Sequence, residues 1–303
     1  MKNNPYTHRP IIGKPAANLL PKGTALVLEG GGLRGYYSAG VLDALLEADL
    51  QFPYIAGVSA GAANGLSYVS GQLGRGREIV KYYVADKRYV SKRNMLLHGS
   101  MFNMDFVFHQ IPQKHLFFDW DAFNKNPVRY LTGATDCQSG ETKWFEKQDL
   151  DSDMAVAIAS CSIPLISPIV NFRGMKLLDG GITAPIPIEK SIEDGNTFHL
   201  IVLTRNRGYT KKPMGHDKAL RLVFKKYPML AEALKKRHEV YNRQLALCET
   251  LEKQGKALII RPLKPLEIDR MDSDTEKLLA LYDEGVEEGR AALAMLKQKL
   301  NGE

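Results

Sequence analysis

Short apolar runs, separated by turn residues and amphipathic stretches, make up most of the chain. The first run, Thr24–Leu28, ends in Glu29 and three glycines, which predicts a buried strand followed by a tight turn. Apolar side chains then recur at helical spacing as far as Leu50, so a helix is expected there. A second short strand is predicted at Tyr54–Ala56, directly after Pro53.

The same alternation continues towards the end of the chain. Residues 60–73 are rich in alanine and glycine, as in a helix packed closely against a sheet. Two long helices are predicted, from Pro228 to Gln254 and from Asp274 to Leu300, the second capped by Ser273 or Asp274. Five further apolar runs predict strands at Val128–Leu131, Thr142–Phe145, Lys176–Leu178, His199–Leu203 and Ala257–Ile260.

Strands that alternate with helices predict an α/β protein with a three-layer α/β/α architecture and a central, mainly parallel sheet. The sequence has no internal repeat and no low-complexity linker, which favours a single domain over residues 1–303. The alternative is a boundary near Arg205, where a C-terminal helical part of about residues 205–303 begins.

The composition, 44% hydrophobic and 25% charged, is that of a globular protein. Three dispersed cysteines, Cys137, Cys161 and Cys248, indicate neither a disulfide framework nor a zinc site. No apolar run is long enough for a membrane-spanning helix, and residues 1–22 lack the apolar core of a secretory signal. These features favour a cytoplasmic protein.

The net charge of +7 is concentrated in one part of the chain. Between Arg205 and Arg243, twelve Lys or Arg stand against three acidic residues, a local charge of +9, so the remainder carries −2. Such a region is usually a solvated surface, but neighbouring apolar residues also suit peripheral binding to an anionic membrane, here the inner face. No nucleic-acid recognition module is visible, so no nucleic-acid partner is expected.

A glycine-rich loop follows the first predicted strand and has the sequence Gly30-Gly31-Gly32-Leu33-Arg34-Gly35. Consecutive glycine N–H groups at a helix N-terminus favour an anion, either a dinucleotide pyrophosphate or the oxyanion of acyl transfer. A dinucleotide site calls for an acidic residue near the end of the next strand, which Tyr54–Val58 does not contain. An oxyanion is therefore the favoured ligand.

The second strand ends in Gly57-Val58-Ser59-Ala60-Gly61, a G-x-S-x-G pattern. In this pattern the serine occupies a strained strand-to-helix turn, which exposes its hydroxyl group at the edge of the sheet. Ser59 is therefore a candidate nucleophile. The alternative is an ordinary Gly/Ser turn that packs the following helix against the sheet.

A serine nucleophile requires a base within hydrogen-bonding distance. None of the six downstream histidines lies in an evident active-site turn; they are His98, His109, His115, His199, His216 and His238. Asp179 is the better candidate, because Leu177-Leu178-Asp179-Gly180-Gly181 presents a carboxylate at the end of an apolar strand. A carboxylate that only stabilises the turn is the alternative.

Together these segments resemble the patatin-like phospholipase family. The family pattern is G-G-G-x-R-G, G-x-S-x-G and D-G-G or D-G-A, in that order, and all three are present. Residues Ala159–Pro164 match a fourth family segment, A-S-x-x-x-P. The resemblance covers about residues 24–187, and the part after residue 205 carries no family motif.

The resemblance implies a Ser–Asp dyad with Ser59 as nucleophile and Asp179 as general base, on the fold predicted above. Both residues follow predicted strands, and we expect a parallel sheet to align the ends of those strands on one edge. It further implies an acyl-lipid substrate, phospholipase A or lysophospholipase-like activity, and no metal or organic cofactor. The implied oxyanion donors are the N–H groups of Gly30, Gly31, Gly32 and Ala60. The remaining motif residues would support the site: Leu33, Arg34, Gly35, Gly57, Gly61, Gly180 and Gly181.

Two other functions remain open at this point. One is an α/β-hydrolase-type carboxylesterase with a histidine base, although only one predicted strand precedes that of the nucleophile, which is few for that fold. The other is a catalytically silent, lipid-binding regulatory module. The aromatic and methionine-rich residues 89–123 would form either helical core or a groove for acyl chains.

Overall fold

The computed structural model describes residues 11–215, 217–269 and 271–301. The strands in these ranges are β1 Asn18–Leu19, β2 Thr24–Leu28, β3 Leu50–Gln51, β4 Tyr54–Val58, β5 Arg129–Asp136, β6 Thr142–Glu146, β7 Val170–Phe172, β8 Met175–Asp179, β9 Phe198–Val202 and β10 Ala257–Ile260. The α-helices are α1 Tyr36–Glu47, α2 Ala60–Val69, α3 Arg75–Ile79, α4 Lys92–His98, α5 Trp120–Lys125, α6 Ala155–Cys161, α7 Ile188–Glu193, α8 Asp217–Val223, α9 Pro228–Lys253 and α10 Thr275–Asn301.

Eight of these strands form the central sheet, in which the order β10-β9-β2-β4-β5 is parallel throughout. Strands β6 and β8 both pair antiparallel with β5, and β7 pairs antiparallel with β8. The sheet is therefore mainly parallel, as predicted, with an antiparallel region beyond β5. Strands β1 and β3 form a separate two-stranded sheet.

Strands β4 and β8 lie end to end along one edge of β5. Strand β6 pairs with residues 131–135 of β5, and β4 pairs with residues 129–133, so these two strands occupy opposite edges. Strand β8 pairs with residues 134–136, which overlap the β6 pairing, and so it shares the edge that β4 occupies. Val58, the last residue of β4, lies opposite Gly133, and Asp179, the last residue of β8, lies opposite Ala134.

Apolar side chains cover both faces of the sheet because successive residues of a strand point to opposite sides. Leu26 and Leu28 of β2 belong to the largest buried cluster, with apolar residues of α1, α2, α6 and α10. Val27, between them, belongs to a second cluster with residues of α7 and α9. Helices therefore pack on both faces, which confirms the three-layer α/β/α fold.

The C-terminal helices contribute to these layers. Leu278, Leu281 and Tyr282 of α10 are buried in the same cluster as the apolar side of α1. Asp274 accepts hydrogen bonds from the Glu276 and Lys277 N–H groups and so caps α10, as the sequence indicated. Among the described residues, no helix combines the length and apolar character needed to cross a lipid bilayer.

Every strand predicted from the sequence is present, although several have different ends. The main extension is β5, which continues to Asp136 rather than stopping at Leu131. The helix predicted over residues 60–73 ends earlier, at Val69. Strands β1, β3 and β7 were not predicted, because runs of two or three residues carry too little pattern to be recognised.

Candidate active site

Ser59 occupies the turn between β4, which ends at Val58, and α2, which begins at Ala60. Its φ of 53° and ψ of −130° lie outside the backbone regions that L-residues favour. The side chain is buried. The local geometry is thus the strained strand-to-helix turn that the G-x-S-x-G pattern predicts.

Close backbone contacts explain why glycine stands beside both candidate residues. A methyl group on Gly61 would lie 2.5 Å from the carbonyl oxygen of Leu28, and one on Gly180 would lie 2.1 Å from that of Gly133. Gly57, in β4, meets the first turn of α2 in the same way. Larger residues at these positions would push the Ser59 and Asp179 turns away from the sheet.

Ser59 and Asp179 are joined by a hydrogen bond. The Ser59 hydroxyl donates to Oδ2 of Asp179 across 2.8 Å, and Oδ1 of the same carboxylate accepts the Gly181 N–H at 2.6 Å. We expected both residues at the aligned ends of parallel strands, but this was wrong for Asp179, because β8 runs antiparallel to β5. The two meet because β4 and β8 end next to each other along one edge of β5.

Neighbouring groups hold the Asp179 turn in place. The Asp179 N–H donates to the Ser162 carbonyl oxygen at 2.9 Å, and the Thr135 hydroxyl donates to the Asp179 carbonyl oxygen at 2.9 Å. Arg237 Nε donates to the Gly181 carbonyl oxygen at 2.6 Å. The carboxylate therefore has a fixed position on a rigid backbone.

Ser160 provides a second link to the nucleophile turn. Its Oγ accepts the Ser59 N–H at 2.8 Å and donates to the Gly133 carbonyl oxygen at 2.7 Å. The sequence pattern assigns no role to this residue, although it lies in the A-S-x-x-x-P segment. Neither Thr135 nor Arg237 lies in any recognisable motif, so the sequence carried no signal for them.

The glycine-rich loop lies directly against Ser59. A methyl group on Gly30 would be 3.1 Å from Cβ of Ser59, and Gly32 has a φ of 59°, which favours glycine. The Gly30 N–H donates to the Pro185 carbonyl oxygen at 3.2 Å. Because this amide is already engaged, the expectation that Gly30 supplies an oxyanion donor is not met in the structure.

The other residues of the loop surround the site. Leu33 and Gly35 line an apolar cavity, and the Gly35 carbonyl oxygen accepts the Asn64 side-chain amide at 2.7 Å. Arg34 is buried, and its charge acts on Glu29. The first N–H groups of a helix have no acceptor within that helix, so the Ala60 N–H at the start of α2 is an available donor beside Ser59.

Two cavities adjoin Ser59, and they differ in character. The first, called the apolar cavity, contains about 980 Å³ of empty space, part of which is open to solvent. Much of its wall comes from the segment 89–123 that sequence analysis singled out. Its apolar lining residues include Phe102, Met104, Val107, Phe108, Phe118 and Ile163.

The second, called the polar cavity, has a volume of about 780 Å³ and also includes Asp179. Its lining contains Gly30, Gly31 and Gly32 together with residues that follow β9 and residues of α9. Besides Asp179, the charged and phenolic groups at its wall are Glu29, Arg34, Arg205, Tyr209, Lys211, Arg237 and Tyr241. Ser59 thus lies between a cavity with a mainly apolar wall and one whose wall carries charged groups beside apolar side chains.

Burial alters the acid–base behaviour of groups near the site. Desolvation raises the pKa of Glu29, and burial together with the Glu29 carboxylate raises the pKa of Tyr241. Burial also raises the pKa of the Cys161 thiol, with a further contribution from Asp179. Arg75, in the wall of the apolar cavity, has its pKa lowered to about 10 by desolvation.

No histidine that the structure describes lines either cavity. His199 is buried, and its ring contacts the Ser191 hydroxyl at 3.1 Å on another part of the sheet. His216 lies outside the described residues. Within the described ranges, no group of three or more His, Cys, Asp and Glu side chains is arranged to hold a metal ion.

Known proteins show two regions of similarity to this chain. The family model described as patatin-like phospholipase matches residues 26–192, more than half of the chain. A model described as a domain of unknown function, DUF6363, matches residues 227–301. The match to the first model contains the glycine-rich loop, the Ser59 turn and the Asp179 turn.

Individual relatives are more distant. The uncharacterized protein YjjU of Escherichia coli is 28% identical over 189 residues, which are 61% of this chain and 52% of that protein. The uncharacterized NTE family protein Mb1092c of Mycobacterium bovis is 30% identical over 171 residues, which are 54% of this chain and 44% of that protein. The chain therefore spans about half the length of these curated relatives.

Among solved structures, VipD from Legionella pneumophila aligns with a TM-score of 0.42 and 12% identity, covering 96% of this chain and 68% of VipD. The extent of the family-model match, and the presence of all three motifs within it, decide the classification. The chain belongs to the patatin-like phospholipase family.

Proposed function

We propose that this chain is a serine acyl hydrolase of the phospholipase A or lysophospholipase type, with Ser59 as nucleophile and Asp179 as general base. The observation that carries the proposal is the 2.8 Å hydrogen bond from the Ser59 hydroxyl to Oδ2 of Asp179. A serine at a strained turn, with a carboxylate at hydrogen-bonding distance, has the two groups that nucleophilic catalysis requires.

In the proposed reaction, Asp179 accepts the Ser59 proton while Oγ forms a bond to the ester carbonyl carbon. The tetrahedral intermediate then expels the alcohol, which takes the proton from Asp179 as its C–O bond breaks. A water molecule next attacks the acyl-enzyme, giving one proton to Asp179. Release of the fatty acid returns that proton to Ser59.

The oxyanion of each intermediate would be stabilised by backbone N–H groups. The proposed donors are Gly31, Gly32 and Ala60, since the Gly30 amide donates to Pro185. The position of the first two beside Ser59 and of the third at the start of α2 supports this choice. Gly30 would instead allow the loop to approach Ser59 closely.

The apolar cavity supports a lipid substrate. It reaches Ser59 and is lined by aromatic, methionine and aliphatic side chains, which suit a flexible acyl chain. An acyl chain in this cavity would place its ester carbonyl carbon at Ser59.

A histidine-dependent esterase receives less support, because none of the described histidines lines either cavity. A silent lipid-binding module would not need a serine aligned with a buried carboxylate. These two alternatives and the dyad predict different results in a single set of assays.

The test measures hydrolysis of phosphatidyl, lysophosphatidyl and neutral acyl esters by wild type, Ser59→Ala and Asp179→Asn. Each variant should lose about 10³-fold or more in kcat, because nucleophile and base act as one unit. Exposed Ser152→Ala and Asp153→Asn are the matched controls and should retain activity. Circular dichroism and thermal unfolding verify that all the variants fold.

A fluorophosphonate probe completes the comparison. It should label Ser59 in the wild-type protein, and more slowly in Asp179→Asn. Full activity of Asp179→Asn would contradict the dyad. Absence of both hydrolysis and labelling in folded wild type would favour the silent module.

A further inference from the structure

Among its described lining residues, the apolar cavity has a single charged side chain, that of Arg75, and no carboxylate. Arg75 is only 8% exposed. Desolvation lowers its pKa to about 10, so the guanidinium is still charged at neutral pH. A buried cation without a carboxylate in contact is costly, because water no longer stabilises its charge. An anionic ligand in the cavity would offset this cost.

The guanidinium of Arg75 has N–H groups that remain for a ligand. Its Nη2 donates a hydrogen bond to the Leu116 carbonyl oxygen at 3.2 Å, and its Cζ lies 5.6 Å from the ring centre of Phe118. Its Nε is buried and has no hydrogen-bond acceptor within the described ranges. A guanidinium has more N–H donors than the bond to Leu116 uses, so both donors and positive charge are available.

Two tyrosine hydroxyl groups belong to the same cavity wall. Tyr36 and Tyr89 are both buried, and their hydroxyl oxygens are 3.0 Å apart, at hydrogen-bonding distance. Burial raises the pKa of both phenols, that of Tyr89 to about 12, and the charge of Arg75 acts on both. Both therefore keep their protons at neutral pH. The bond between them uses one of these protons, which leaves the other for a ligand.

The cavity extends along α2, with Ser59 directly before the first turn of that helix. Ala60 and Ser67 of α2 both line the cavity, and their separation in an α-helix corresponds to about 10 Å. Gln72 connects the end of α2 to Arg75, because its N–H donates to the Ser67 carbonyl oxygen and its own carbonyl oxygen accepts the Arg75 N–H. Arg75 is thus attached to the C-terminal end of α2, away from the Ser59 turn.

A carboxylate suits these donors better than a phosphate. Its two oxygens match one guanidinium and one tyrosine hydroxyl group, and its single charge is balanced by Arg75 alone. A phosphate would bring more negative charge and more oxygens than these groups balance. Most of the remaining wall is aromatic or aliphatic, including Phe102, Val107 and Phe108. The carboxylate would therefore be attached to an aliphatic chain.

We propose that Arg75, together with Tyr36 and Tyr89, forms a subsite in the apolar cavity for a carboxylate on an aliphatic chain. One source of this group is an acyl chain whose ester carbonyl lies at Ser59 and whose far end carries a carboxylate, as in half esters of dicarboxylic acids. The other is a free fatty acid that enters carboxylate first. The first source rests on the proposed function and narrows its acyl substrates, whereas the second does not depend on catalysis.

Binding of decanoate and of 1-decanol at pH 7.5, measured by isothermal titration calorimetry, tests the subsite without relying on catalysis. The variants are Arg75→Met and the double variant Tyr36→Phe/Tyr89→Phe, which keep most of the side-chain volume. The matched control is Arg77→Met on the same helix, where the side chain is 43% exposed and pairs with Asp283. Circular dichroism verifies that each variant folds.

Wild type should bind decanoate at least about tenfold more tightly than 1-decanol, because charge-assisted hydrogen bonds hold the carboxylate. Arg75→Met should lose most of this difference, the tyrosine double variant should lose part of it, and Arg77→Met should keep it. Equal affinities of wild type for the two compounds would overturn the subsite, as would wild-type affinity for decanoate in Arg75→Met. If Arg75→Met does not fold, unchanged affinity for decanoate in the tyrosine double variant would overturn it.

Hydrolysis separates the two sources of the carboxylate. Mono-4-nitrophenyl sebacate and 4-nitrophenyl decanoate have acyl chains of the same length, but only the first ends in a carboxylate. If the group belongs to the acyl chain, wild type should have a kcat/KM at least about tenfold higher for the sebacate ester, and Arg75→Met should lose this preference. If it belongs to a free fatty acid, the sebacate ester should be the poorer substrate, and decanoate should inhibit wild type competitively and Arg75→Met more weakly. Equal rates on both esters, with equal inhibition of wild type and Arg75→Met, would contradict the subsite.

Failure of the proposed function has a different signature. Neither ester would then be cleaved and Ser59 would not react with the fluorophosphonate, whereas decanoate would still bind in a manner that depends on Arg75. Hydrolysis of both esters without preferential binding of decanoate would overturn the subsite and leave the proposed function in place.

Discussion

Ser160 connects the turn of the proposed nucleophile to strand β5. Its hydroxyl group accepts the Ser59 N–H and donates to the Gly133 carbonyl oxygen, and all three residues are buried. Ser162, two residues later, is equally buried, but its hydroxyl donates to Ile158 within the same helical segment. Comparing a substitution of Ser160 with one of Ser162 therefore separates the effect of losing a buried hydrogen bond from the effect of releasing the Ser59 turn.

We predict that Ser160→Ala lowers kcat by about tenfold and leaves KM nearly unchanged, because the Ser59 turn loses its link to β5. Ser160→Ala and Ser162→Ala should each lower the free energy of unfolding by about 1–3 kcal/mol, since each leaves a buried hydrogen-bonding group without its partner. Urea unfolding and steady-state kinetics measure the two effects. Equal kcat values for Ser160→Ala and Ser162→Ala would show that Ser160 has only a structural role.

At the scale of elements, residues 101–118 contribute both to the wall of the apolar cavity and to the buried core. Phe102 lines the apolar cavity, whereas Phe106 is completely buried and does not line it. Phe106 begins a π-helical stretch, Phe106–His115, and the Arg88 guanidinium lies 4.2 Å from the centre of its ring. The sequence pattern did not distinguish a groove from a core here, and the structure contains both.

We predict that Phe102→Ala reduces kcat/KM several-fold more for long acyl chains than for short ones, because it removes part of the cavity wall that would contact the acyl chain. Phe106→Ala should instead reduce the free energy of unfolding by about 3–5 kcal/mol, with no dependence on chain length. A series of esters from four to sixteen carbons and thermal unfolding provide the measurements. Equal losses along the series for Phe102→Ala would mean that the cavity does not hold the acyl chain.

Helix α8 carries exposed apolar side chains next to exposed basic ones. Leu222 is 74% exposed and Val223 59% exposed, while Leu220 on the same helix is buried and lines the polar cavity. Exposed lysines and arginines surround these apolar residues; they are Lys218, Arg221, Lys225 and Lys226. We propose that this surface binds anionic phospholipid next to the cavity.

The predicted result is sedimentation of the protein with anionic vesicles, decreasing as salt is raised, and little sedimentation with zwitterionic ones. Leu222→Asp should weaken binding to the anionic vesicles about tenfold or more, because it places a charge in the apolar contact. Leu263→Asp, at a residue that is 82% exposed on another part of the surface, is the matched control. Equal binding by both variants would exclude α8 as the contact.

At the scale of the whole molecule, helices α1 and α10 join the residues matched by the patatin model to those matched by the second model. Asp43 of α1 is buried, and it accepts hydrogen bonds from the Tyr282 hydroxyl of α10 and from the Gly74 N–H. Burial raises the pKa of Asp43 to about 7, from an ordinary value of 3.8. The carboxyl group therefore binds its proton more tightly in the folded protein than in the unfolded chain.

This difference fixes the sign of the pH dependence. Asp43 contributes most to stability below pH 4, where both states are protonated, and the contribution falls as pH rises to about 7. We predict that the free energy of unfolding of wild type, measured relative to that of Asp43→Asn, falls across this pH range by on the order of 1 kcal/mol per pH unit. Urea unfolding at several pH values, with exposed Asp283→Asn as control, measures it. Parallel pH profiles for wild type and Asp43→Asn would contradict the prediction.

The sequence by itself determined seven of the eight strands of the central sheet and the local form of the proposed nucleophile turn. Short apolar runs bounded by turn residues are typical of buried strands, and G-x-S-x-G specifies its own backbone geometry. The composition of residues 89–123 also indicated an apolar segment, which would form either helical core or a groove. These features depend on residues close together in the chain, so a local pattern is enough to predict them.

Tertiary structure alone decided how the site is assembled. A buried apolar strand has the same pattern whether it joins a sheet parallel or antiparallel, so the sequence did not reveal that β8 abuts β4 along β5. For the same reason it gave no role to Ser160 or Arg237, and it did not divide the basic region between a cavity wall and an exposed surface. These relations depend on contacts between residues distant in sequence, which only the folded chain brings together.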